Sequence, residues 1–133
     1  MGHDACPCGS GGDYRECCGR FHRGAIAPTC EALMRSRYSA FARGEVDYLL
    51  ATSHPDLVAN EGGLEAFRRS LREACRTLRY QGLTVREAHE DGDTGEVTFA
   101  VRVFSKGRDV SFAERSTFLR DDGRWRYLTG EAA

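Results

Sequence analysis

Lysine is nearly missing from this chain: Lys106 is the only one, and every other basic residue is arginine. That bias reads as a composition effect rather than a functional signal. An excess of positive charge is also lacking. With 19 basic against 20 acidic residues the formal net charge is −1, so there is no electrostatic footprint for non-specific DNA or RNA binding. Arg68, Arg69, Arg72, Arg76 and Arg79 crowd one stretch, which reads as the solvated face of a helix. No run approaches the ~20 apolar residues of a membrane span. The opening Met-Gly-His-Asp-Ala-Cys has no basic segment followed by an apolar one, so no secretory signal is legible. The expected compartment is the cytoplasm, where thiols stay reduced. Ser-His-Asp spacing, a phosphate loop and a His-Glu zinc-protease motif are all absent, and no catalytic constellation is legible.

Residues 1–27 also lack something: aliphatic periodicity. They are rich in Gly and Cys and cannot build a hydrophobic core alone, so something other than packing must order them. A metal would do so. From Pro28 onward helical signals begin. Leu33, Met34, Arg37, Tyr38 and Phe41 recur at helical spacing between a start at Pro28-Thr29 and a stop at Gly44. A second helix is predicted over Glu45–Thr52, closed by His54-Pro55, and a third over Leu64–Leu78, with Leu64, Phe67, Leu71, Cys75 and Leu78 on one face. The period then changes to two. Strands are predicted over Leu83–Ala88, Val97–Val103, Val110–Arg120 and Trp125–Thr129, with turn chemistry between them. About three helices followed by four meandering antiparallel strands is an α+β pattern, with helices on one face of the sheet.

Four of the six cysteines fall within thirteen positions, as Cys6-Pro-Cys8 and Cys17-Cys18. In a reducing compartment such clustering points to metal ligands rather than disulfides. Two thiolates from a tight turn and two from a following helical turn can surround one Zn²⁺ tetrahedrally, and four sulfurs make such a site structural. Gly9, Gly11 and Gly12 let the backbone fold closely around the ion, and Tyr14 and Phe21 are candidates to shield it. The competing readings are another metal, reactive free thiols, or a strained disulfide between near neighbours. Cys30 and Cys75 lie on predicted helices far apart and read as small core residues. His3 could offer an imidazole beside the free amino terminus, but removal of Met1 would spoil that geometry.

Cys-Pro-Cys-Gly-Ser-Gly, then Tyr14 and a closing Cys-Cys-Gly, resembles the SEC-C motif, the zinc-binding tail of the SecA translocation ATPase. The last ligand, often His in SecA-type versions, is Cys18 here, and the usual lysines between Ser10 and Tyr14 are replaced by Gly12 and Asp13. Downstream, Glu31-Ala-Leu-Met-Arg-Ser-Arg-Tyr-Ser-Ala-Phe-Ala-Arg-Gly, Asp47-Tyr-Leu-Leu-Ala-Thr-Ser-His-Pro and Asp122-Gly-Arg-Trp-Arg-Tyr are similar to the YchJ-like family of small bacterial proteins. The resemblance implies a SEC-C zinc element over residues 1–27 and, over residues 28–133, a domain like nuclear transport factor 2. In that fold a curved sheet and helices form a cone with a pocket. It implies no activity.

Some polar residues face the wrong way for simple core packing. At about 100° per residue Arg37 falls inside the apolar arc of its helix, whereas Arg35 falls toward water. Along the third strand Val110, Phe112, Glu114, Ser116 and Phe118 share one face. Buried charges are costly unless paired, so Arg37 and Glu114 are expected to meet in the cone, with Tyr38 and Ser116 attached. His54, at a helix end, is a further pocket candidate. The leading expectation is a zinc-binding adaptor that contacts an unidentified protein or ribonucleoprotein through the zinc element. The alternative is a small enzyme or ligand-binding protein using Arg37, Glu114 and His54. The open sheet face, with Thr98, Arg102 and Arg126 expected to be exposed, leaves room for a homodimer, which these residues neither demand nor exclude.

Overall fold

The computed structural model describes residues 4–133; His3 lies outside the described residues. A single turn of 3₁₀ helix, Tyr14–Glu16, precedes α1 (Cys18–His22), α2 (Cys30–Arg43), α3 (Val46–Ala51), α4 (Pro55–Asn60) and α5 (Leu64–Thr77). The strands follow: β1 (Leu78–Asp91), β2 (Thr94–Ser105), a short β3 (Arg108–Asp109), β4 (Phe112–Asp121) and β5 (Arg124–Ala132). All pair antiparallel in the order β1-β2-β4-β5, with β3 attached to β2. Register shifts in β1 between Tyr80 and Gly82 and between Val85 and Glu87 bend the sheet. No helix among the described residues is long and apolar enough to cross a membrane.

Local chemistry sets the helix that organises the cone. Thr29 caps α2 by accepting from Ala32 N at 3.0 Å, and Gly44, at φ 78°, ends it in a left-handed turn. Leu33, Met34 and Tyr38 on α2 pack against Val97, Phe99, Val101, Val103, Phe118 and Trp125 of the sheet. Ala40, Leu49, Leu50, Phe67 and Leu71 form a second cluster among α2, α3 and α5. On α5, Arg69, Arg72 and Arg76 are exposed, as the helical period predicts.

Several details depart from the sequence reading. His54-Pro55 ends α3 but also starts α4, because proline at the first helical position loses no hydrogen bond. Leu78 is in extended conformation and opens β1 instead of closing the third helix. Leu64, at the first turn of α5, is 53% exposed. Val110 and Phe112 are 42% and 45% exposed, so the inner face of β4 is open to solvent at this end, where Phe112 still lines the cavity with Glu114, Ser116 and Phe118. Arg126, expected to point outward, is half-buried, with Nη1 3.5 Å from the Ala51 carbonyl.

Candidate functional site

The N-terminal element is folded by glycine turns and backbone bonds. Gly9 and Gly11 sit at φ 82° and 87°, conformations that favour glycine. Cys6 N donates to Gly12 O at 3.0 Å and Tyr14 N to Asp4 O at 2.8 Å. Asp13 caps the 3₁₀ turn through Arg15 N at 3.1 Å. This path brings the sulfurs of Cys6, Cys8, Cys17 and Cys18 within 4.8 Å of one another, with Cys8 and Cys17 at 3.6 Å. A tetrahedral ion with bonds of about 2.3 Å would hold sulfurs about 3.8 Å apart, so the cage has the right size. Its chemistry fits as well. Cys6, Cys8 and Cys18 are buried and Cys17 half-buried. Cys8 is pulled down to about 4, chiefly by the hydrogen bond from Cys18, while that bond and burial push Cys18 up. Burial also pushes Cys17 up. A dication would take the place of the thiol protons. Hydroxyls surround the sulfurs, Ser10 Oγ at 3.2 Å from Cys17 and Ser39 Oγ at 3.4 Å from Cys6. These bonds orient ligands. The four cysteines are the residues that could hold a metal.

The helix α2 is the wall on which this element rests. Arg35, Ser39 and Arg43 recur every four residues and form a polar stripe along one side of it. Arg35 Nη1 donates to Cys8 O at 3.2 Å, Ser39 meets Cys6, and Arg43 lies 3.7 Å from the Tyr14 ring centroid while pairing with Asp4 at 3.3 Å. Arg35 therefore serves the element and does not simply face water; the spacing 35-39-43 was the signal for it. Tyr14 packs against the cysteines, whereas Phe21 joins the main core and does not shield them.

One further link joins the two parts. Tyr14 Oη donates to His22 Nδ1 at 2.5 Å, and His22 Nε2 donates to the Ser36 carbonyl at 2.9 Å. A neutral imidazole with its proton on Nε2 suits this arrangement. Burial pushes the His22 pKa below its ordinary value, partly offset by the Ser36 carbonyl and Glu45. A histidine that binds fewer protons folded than unfolded makes stability rise with pH. The His22 contribution is therefore full above pH about 6.5 and is lost as pH falls through the lowered folded value. Thermal melts across that range should show this slope flattened in His22→Gln; an unchanged slope would contradict the assignment.

The cone encloses a cavity of about 170 Å³, lined mainly by apolar side chains and by Arg37, Tyr38, Glu114, Ser116 and Tyr127. The expected Arg37–Glu114 ion pair is not formed. Arg37 is 6% exposed, and its Nη1 donates to Leu49 O at 3.0 Å, Thr52 Oγ1 at 2.7 Å and Ser53 Oγ at 3.3 Å. Its guanidinium carbon sits 4.7 Å from the centroid of the Tyr127 ring. Glu114 Oε2 instead accepts from Ser116 Oγ at 2.6 Å and from Tyr127 Oη at 3.0 Å. Tyr127, which the sequence reading passed over, thus stands between the two charges. Burial pulls the Arg37 pKa down to about 10, with Tyr127, Tyr48 and Glu114 opposing, so the group stays charged at neutral pH. Tyr38 meets the Tyr80 ring edge-on at 5.6 Å between centroids.

His54 lies elsewhere. It caps α4 by accepting from Asp56 N at 3.0 Å through Nδ1, so it acts at a helix start. It is not among the cavity-lining residues, and it does not converge with Glu114.

Comparison with known proteins agrees with this architecture. Residues 29–130 match the YchJ middle NTF2-like domain, and residues 4–20 match the SEC-C motif. A UPF0225 protein of Xanthomonas campestris is 46% identical over 127 residues, covering 94% of this chain and 92% of that one. The solution structure of a SEC-C motif containing protein from Rhodopseudomonas palustris is 35% identical and superposes with a TM-score of 0.84, covering 97% of this chain and 98% of that chain. A SEC-C motif containing protein from Psychrobacter arcticus, 23% identical, shares the fold at a TM-score of 0.78 over 97% of this chain and 82% of that one. A four-cysteine element resting on a cone-shaped α+β domain, over the full span of such relatives, means that the chain belongs to the YchJ-like family of UPF0225 proteins.

Proposed function

We propose that this protein is a cytoplasmic, zinc-holding binding module, in which the metal closes the N-terminal element and the element's outer face contacts a protein or ribonucleoprotein partner. The observation that carries the reading is the cage of four sulfurs. Four thiolates complete a tetrahedral zinc and leave no position for water or substrate, so the ion supplies charge neutralisation and cross-linking rather than Lewis-acid chemistry. One side of the element is occupied by α2, while Ser10, Arg15, Glu16 and Arg20 are exposed. A photo-crosslinking residue at position 15 should trap a defined partner in living cells, and the same residue at position 122, in the β4–β5 turn, should not. Equal trapping from both positions would remove the adaptor reading.

A second reading is favoured by one observation, the buried Arg37 with no direct ion pair among the described residues: the cavity is a site for a small ligand. An enzyme built on Glu114 and His54 finds no support in this geometry, because an acid and a base must reach one substrate and these two do not share the cavity.

A further inference from the structure

We propose that the cone cavity binds a small organic anion, a carboxylate with an apolar body, whose head group is held by Arg37; this rests on reading the cavity as a ligand site. The Arg37 side chain is buried, yet all its hydrogen bonds to protein leave from Nη1 and end on neutral oxygens of Leu49, Thr52 and Ser53. No carboxylate among the described residues forms an ion pair with it. Its Nε and Nη2 donate to no protein group among those residues. A buried guanidinium without a direct ion pair is costly, since Glu114 acts on it only from beyond Tyr127, and low local polarity strengthens the attraction to any anion that reaches it.

Geometry selects the anion's shape. The Tyr127 ring lies against the guanidinium, and the Nε–Nη2 edge is the fork that grips the two oxygens of a carboxylate in parallel. Met34, Phe99, Val101 and Phe118 line the remaining wall and suit a hydrocarbon body. Glu114, fixed by Ser116 and Tyr127, repels a second negative group. The head therefore goes to Arg37, and a hydroxyl or amine at the far end would suit Glu114.

The test is an NMR titration of the zinc-loaded full chain with hexanoate, benzoate, hexanamide and hexylammonium. The acids should shift resonances of Tyr127 and Phe118 and bind at least about tenfold more tightly than hexanamide, as expected when a charge-assisted fork replaces neutral bonds. Arg37→Lys should keep a weaker preference for acids, and Arg37→Met should abolish it. Equal binding of hexanoate and hexanamide in the cavity would overturn the anion assignment while leaving the cavity as a ligand site. No shift of cavity resonances with any probe would overturn both. Should Arg37→Met fail to fold, the acid–amide comparison on the unaltered chain decides by itself.

Discussion

Chelating the metal is expected to lower the thermal midpoint by about 10 °C and to loosen the N-terminal element. Metal binding is folding free energy for a site that does not exist in the unfolded chain. The large domain has its own core, so only the part anchored through the cage depends on the ion. Loss of that docking is worth about 3 kcal/mol, which for a chain of this size corresponds to about 10 °C. Hydrogen exchange should quicken from Asp4 to about Arg20 and stop there, because Phe21 and Ala27 are embedded in the main core. Cys8→Ser should reproduce the effect without chelator, whereas Cys30→Ser, which leaves the cage intact, should not change metal content. Identical melting of the loaded and chelated chains would contradict this account.

The largest single-residue effect in the domain is expected at Phe118. It is 1% exposed and packs on the inner face of β4 against α2 and the sheet. Phe118→Ala should cost about 4 kcal/mol, the usual range for a buried aromatic cut back to methyl. Six residues earlier on the same face, Phe112→Ala should cost less than about 1 kcal/mol, because Phe112 is 45% exposed. Urea unfolding of both variants measures the contrast. Equal losses would mean that Phe112 is packed as closely as Phe118.

The cysteine cage was legible because four soft ligands at that spacing, in a segment poor in aliphatic residues, have few other uses. Helix α2 was legible from its ends, Thr29 and Gly44, and the hairpins from their turn residues. His54-Pro55 was ambiguous for a physical reason: proline before which a helix stops is the same proline at which one begins. The position of Arg37 inside the cone followed from the helical period, but its partner did not. The rule that a buried charge seeks an opposite charge overlooked the neutral oxygens at the end of α3 and the face of Tyr127, which become neighbours only when α3 and β5 close on α2. The spacing of Arg35, Ser39 and Arg43 was present, but Arg35 fell on the water side of the helical period, and nothing in the sequence says that residues 4–20 lie over it.

X-ray absorption at the zinc edge, on the full chain with its metal content measured, tests the central claim most directly. One zinc per chain is expected, with four sulfur neighbours at about 2.3 Å and no oxygen or nitrogen ligand. A chain that takes up no zinc, or a zinc bound by fewer than four sulfurs with a water in its shell, would contradict it.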